Sequence, residues 1–140
     1  MDKNYRFEGS FEEHYNNVSK ARDNGFEIIW GSDTTLLLDL DTQEQVNRYT
    51  LVKKWIFKAL NAGERETWTS KSGNTHVIIE LSEPLSVEIR IALQMVLGSD
   101  LNRGAMEILQ VIRGANPIAL FKPDLKIKNL SQNNVKDFVP

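Results

Sequence analysis

Hydrophobic residues change their spacing along this chain, and the changes mark out its elements. "GFEIIWGSD" (residues 25–33) reads as a short strand ending in a turn, and "TTLLLDLD" (34–41) as a second strand. In "TQEQVNRYTLVKKWIFKALNAG" the apolar Val46, Tyr49, Val52, Ile56 and Leu60 recur at helical intervals. Thr42 and Gln45 there form a candidate capping box, and Gly63 a candidate stop. "ERETWTSKSG" and "NTHVIIELSEP" then read as two strands joined by a turn containing Gly73. "LSVEIRIALQMVLGSD" places Ile89, Ala92, Leu93, Val96 and Leu97 on one helical stripe that ends at Gly98. "AMEILQVIRG" continues as another helix and "NPIALFKP" as a closing strand.

The order strand, helix, strand, strand, helix, strand predicts an α+β fold of ferredoxin-like or RNA-recognition-like type. Its mostly antiparallel sheet carries helices on one face and leaves the other open for a site. With 140 residues, the chain is expected to form one domain over 1–125. Residues 1–25 are expected to be a polar helix or arm, and 126–140 a polar tail.

Strand side chains alternate between faces, which sorts the polar residues. In "TTLLLDLD", Leu36, Leu38 and Leu40 share the core face, whereas Leu37, Asp39 and Asp41 share the other. In "HVIIEL", Val77, Ile79 and Leu81 face the core and His76, Ile78 and Glu80 face away. Asp39 and Asp41 then lie roughly 6.5 Å apart along the strand, a spacing that suits carboxylates gripping divalent cations. At an effective dielectric near 20 their repulsion is roughly 2 to 3 kcal/mol, which a bound cation reverses. The alternative is a solvated strand end at which Asp41 starts the following helix. His76 is either structural or a ligand contact. The loop before it, "SKSGN", offers Lys71, Ser72 and the flexible Gly73 to a phosphate.

Composition narrows the chemistry. There is no cysteine, which excludes disulfides, thiolate metal sites and thiol nucleophiles. The formal net charge of −2 argues against indiscriminate coating of nucleic acid, while Lys53, Lys54 and Lys122 remain candidates for a local basic patch. No basic region followed by an apolar run opens the chain, and no stretch approaches the roughly 20 apolar residues of a membrane span, so a cytoplasmic protein is expected.

The ordered segments "LLLDLD", "SKSGNTH" and "LGSD" resemble the catalytic signature of the archaeo-eukaryotic primase superfamily, including phage and plasmid primase-polymerases. The resemblance covers roughly residues 34 to 124. It implies that Asp39, Asp41 and Asp100 are catalytic ligands of magnesium or manganese, and that Ser72 and His76 contact the triphosphate of an incoming nucleotide. The family's serine stands two places before the histidine, where this chain has Asn74, and Asp124 is an alternative third acid.

The activity implied is template-directed nucleotidyl transfer in DNA replication. Its partners are a nucleoside triphosphate, single-stranded DNA or a primer-template, and a helicase or other replication protein. A phage-encoded chain would act in the host cytoplasm. Lys71, Ser72, Gly73, His76 and Arg103 are the candidate nucleotide contacts, with Arg113 a second possible clamp. Lys53, Lys54, Trp68 and Lys122 are the candidates for nucleic acid. The rival readings are a metal-dependent phosphodiesterase built on the same acids, a non-catalytic single-strand-binding module that stacks bases on Trp68, and a structural protein of the same fold.

Overall fold

The structure is a computed structural model that describes residues 19–20, 22–114 and the backbone of 119–123. Most of the expected N-terminal arm, the 126–140 tail, His14 and Asp124 lie outside the described residues. Two compact units are present. Strands β1 (Phe26–Trp30) and β5 (Ala119–Pro123) pair with each other in a two-stranded sheet, most of which falls in the first unit. The second unit, Trp30–Leu120, holds β2 (Thr35–Leu40), α1 (Gln43–Leu60), β3 (Gly63–Thr69), β4 (Thr75–Glu80), α2 (Val87–Val96) and α3 (Leu101–Ile112). The fold is α+β.

The main sheet is antiparallel, in the order β2–β4–β3. With α1 joining the two outer strands, it has the split order of the ferredoxin-like arrangement. The expected closing strand forms as β5, and its partner is β1. At the edge of β2, the Leu37 N–H donates to Oε1 of Gln94 on α2 at 3.0 Å, so a side chain satisfies a group that another strand would otherwise pair.

The core is built from Leu36, Leu38 and Leu40 of β2, Val77 and Ile79 of β4, Tyr49 of α1, and Leu81 and Leu97. The capping box at the start of α1 forms: Thr42 Oγ1 accepts the Gln45 N–H at 3.2 Å, and Gln45 Oε1 accepts the Thr42 N–H at 3.0 Å. The helix stops earlier than Gly63. Asn61 takes the left-handed conformation at φ 50°, which asparagine tolerates, and Gly63 begins β3.

Two further expectations change. The buried face of α2 is Arg90, Ile91 and Gln94, while Ile89, Ala92 and Val96 of the expected stripe are exposed. Arg90 is held inward by carbonyls, Nη1 donating to Ser32 O at 2.6 Å and Nε to Leu85 O at 3.1 Å. The second sheet face is not open either: Leu37, His76 and Ile78 are buried, and only Asp41 and Glu80 of that set are exposed. α3 starts at Leu101, ahead of the expected "AMEILQVIRG", and this extra turn brings Arg103 to Asp39. Among the described residues no helix is long and apolar enough to cross a membrane.

Candidate functional site

The polar residues converge where β2 ends. Asp39 and His76 are direct cross-strand partners, as are Trp68 and His76, because β4 is the central strand. Strand pairing therefore sets three candidate side chains in one row. The Trp68 and His76 rings lie 5.2 Å apart and nearly parallel, at 14°. Nδ1 of His76 stands 3.6 Å from Asp39 Oδ1, and Arg103 Nη1 donates to Asp39 Oδ2 at 3.1 Å. Arg103 also reaches Glu107 one helical turn on, with Nε 3.5 Å from Oε1. Gln94 Nε2 donates to the second Glu107 oxygen at 3.4 Å, so a polar network runs from the β2 edge through α3 to Asp39.

This network is mostly dry. His76 is 1% exposed, and neither of its ring nitrogens has a hydrogen-bond partner among the described residues. The same holds for Asp39 Oδ1. Burial lowers the His76 pKa to about 4, the Arg103 charge adding to the effect and Asp41 opposing it. The imidazole is consequently neutral near pH 7. Burial also raises the Glu107 carboxyl, against the pull of Arg103.

Asp41 follows β2 directly. Desolvation first, and then the charge and hydrogen bond of the adjoining Asp39, push its carboxyl up to about 6; Arg103 and His76 act in the other direction. The aspartates thus interact directly, as residues of one strand face should.

Asp41 lines a cavity of about 550 Å³ together with Thr42, Glu44, Gln45, Ser99 and Asp100. The first turns of α1 and α3 both border it, and Gln45 Nε2 ties α1 to the connection between α2 and α3 by donating to Gly98 O at 2.9 Å. Asp100 is the N-cap of α3, its Oδ1 accepting the Asn102 N–H at 3.2 Å. The Oγ of Ser99, a buried residue, has no hydrogen-bond partner among the described residues. The cavity brings Asp41 and Asp100 together, whereas Asp39 is not among its lining residues. No group of three or more His, Asp or Glu side chains among the described residues is arranged to hold a metal ion.

The "SKSGN" loop is a tight hairpin turn at the same end of the sheet. Gly73, at φ 91°, donates its N–H to Ser70 O at 2.9 Å, and the Asn74 N–H goes to Ser70 Oγ at 3.1 Å. Ser72 Oγ is 2.9 Å from Ser70 Oγ, and Lys71 is exposed. These two backbone donors are therefore committed to the loop itself.

Lys53 and Lys54 lie apart from this cluster. Lys53 and Lys54 sit about three turns along α1, roughly 16 Å from its start. Lys53 pairs with Glu64 at 3.2 Å and lies over the Tyr49 ring, while Lys54 is exposed. Lys122 is in β5, where only the backbone is described, and Arg113 is the C-cap of α3. Sequence reasoning missed Gln94, Glu107 and Ser99. The Arg103–Glu107 spacing of i, i+4 on an otherwise apolar helix was the available signal for one of them.

No protein-family model, curated protein or solved structure matches the chain.

Proposed function

We propose that the chain is a metal-dependent nucleotidyltransferase of the phage or plasmid primase-polymerase kind, acting in the cytoplasm on a nucleoside triphosphate and single-stranded DNA or a primer-template. The observation that supports this most is the Asp39 carboxylate. One oxygen is buried without a hydrogen-bond partner among the described residues, Asp41 adjoins it, and His76 and Arg103 flank it. Desolvation first, and the neighbouring Asp39 charge second, hold the Asp41 carboxyl at about 6, and a cation between the two carboxylates would offset their repulsion.

Magnesium or manganese would be held by Asp39 and Asp41, with Asp100 on the wall of the cavity that Asp41 lines. When bound, such an ion supplies activation of the attacking 3′ oxygen and neutralisation of phosphate charge. With so few protein ligands, phosphate and water oxygens would complete its shell, the usual habit of magnesium.

The protein groups have separate tasks. Arg103 holds Asp39 in place and is positioned to exchange that contact for a phosphate oxygen. His76, neutral, buried and stacked on Trp68, backs the Asp39 side, and its contact with phosphate requires this closed face to open. Ser99 and the first turn of α3 provide hydroxyl and amide donors on the cavity wall. Lys71 and Ser72 lie at the same sheet end for the outer phosphates, on a turn that Gly73 shapes through its own bond to Ser70. A helicase or other replication protein would present the template, with Lys54 and Lys122 as backbone contacts.

The test is incorporation of a labelled nucleotide on a primer-template with manganese. Wild type is expected to extend the primer, and Asp39→Asn to lose at least about 100-fold, the scale on which removing one preorganised charge acts. Cleavage of the strand without extension would favour the phosphodiesterase. Metal-independent single-strand binding alone would favour the binding module, although Trp68 already stacks on His76 and is only partly accessible.

A further inference from the structure

Helix α3 is turned inside out. Its buried positions are Gly104, Glu107 and Gln110, while Leu101 is 70%, Ile108 43% and Ile112 74% exposed, with Ala105 exposed between them. An ordinary surface helix does the opposite. Glu107 is held inward by Arg103 and Gln94, so the helix cannot roll its apolar face under without breaking that network. Four apolar residues are left in a stripe about 18 Å long, a kind of surface that marks interaction sites.

We propose that this stripe pairs with the same stripe of a second copy of the chain, the two α3 helices running antiparallel across a two-fold axis. The spacing of the stripe is 4, 3, 4 residues, which is symmetric about its own midpoint. Reversed upon itself, it sets Leu101 against Ile112 of the second copy and Ala105 against Ile108. Each contact recurs with the roles exchanged, as an isologous interface requires. The small Ala105 facing the larger Ile108 lets the helices approach and leaves a hole for the isoleucine to fill.

Charge points to the same occupant. None of the four stripe residues is charged, and neither are Asn102 and Leu109 at their edge; charge enters only at the two ends, with Asp100 before Leu101 and Arg113 after Ile112. Between those ends the face carries no charge to repel its own copy. A net charge of −2 adds little long-range repulsion between copies. Asp39, Asp41 and His76 take no part, although Leu101 at one end of the stripe also lines the cavity beside Asp41.

Sedimentation equilibrium on the full chain tests this, over about 1 to 100 μM, where interfaces of modest size associate. Wild type is expected to shift from one to two chain masses with concentration. Ile108→Glu with Ala105→Glu, and separately Ile108→Lys with Ala105→Lys, are each expected to stay monomeric with unchanged circular dichroism. Mixing the acidic and basic variants is expected to restore two chain masses. A wild type monomeric throughout, a dimer indifferent to both variants, or folded variants that do not combine on mixing would overturn the proposal. A stripe engaged only by a different protein gives the first of these results.

Discussion

Nδ1 of His76 stands 3.6 Å from Oδ1 of Asp39, across a strand pair in which the two residues are direct partners. Neither atom has a hydrogen-bond partner among the described residues, and His76 is almost fully buried. Leaving such atoms unmet costs stability, typically about 1 to 3 kcal/mol per group. In the proposed function a bound ligand would offset that cost.

His76 has a packing role through Trp68 and, in the proposed function, a phosphate role through its nitrogens. His76→Ala is expected to destabilise the protein by about 2 kcal/mol or more, as for other buried side chains truncated to alanine. His76→Phe keeps the stacked ring and should lose less. Both are expected to weaken triphosphate binding by about 1.5 to 3 kcal/mol, the range for a hydrogen bond to a charged group. Calorimetric affinity beside urea unfolding separates the roles. Wild-type affinity in folded His76→Phe would make the histidine structural.

Acid stability should report two opposed groups. The His76 pKa is lowered to about 4 in the folded chain, so its contribution is fully present above pH 6.5 and fades as pH falls toward 4. The Asp41 pKa is raised from 3.8 to about 6, so this group makes folding less favourable as pH rises through the same window. Asp41→Asn removes the compensation. Its unfolding free energy from urea titration is expected to fall more steeply than that of wild type between pH 6.5 and 4, by less than about 1.4 kcal/mol per pH unit, the slope of one full proton, because Asp41 is partly solvated. Parallel profiles would contradict the assignment.

Gln94 replaces a strand partner at the β2 edge. Gln94→Leu leaves the Leu37 N–H and one Glu107 oxygen without their bonds, and is expected to cost about 1 to 3 kcal/mol in urea unfolding. A change under about 0.5 kcal/mol would mean that water takes over both bonds.

Gly98 sits at φ 117°, and a Cβ there would lie 2.8 Å from the Gln45 carbonyl oxygen. Backbone stands in the way on one side and a disfavoured conformation on the other. Gly98→Ala is expected to destabilise by about 2 kcal/mol or more and to disturb the cavity beside Asp41. Thermal unfolding checks the first effect, and a wild-type melting temperature would contradict it.

The elements were legible in the sequence, because each has a local cause. Alternation around Leu36, Leu38 and Leu40, the Thr42–Gln45 box and the turn at Gly73 all act over a few residues. Their cross-strand meeting also followed, since alternation put Asp39 and His76 on one face. What escaped was set by distant hydrogen bonds. Apolar periodicity aimed α2 by Ile89 and Val96, but Arg90 and Gln94 turned inward to meet Ser32, Leu85 and Leu37. Glu107 likewise reversed α3, and the resulting burial closed the face expected to be open. Neither β5's choice of β1 nor the left-handed Asn61 has a signal in hydrophobic spacing.

The proposed chemistry rests on Asp39 and Asp41 acting together on a divalent cation. Manganese titration by calorimetry at pH 7, on wild type, Asp39→Asn and Asp41→Asn, tests this most directly. Wild type is expected to bind, each variant to bind at least about tenfold more weakly, and wild-type affinity to fall about tenfold per pH unit below 6 as the Asp41 proton competes. Equal manganese affinity in all three proteins, or none in wild type, would contradict the site.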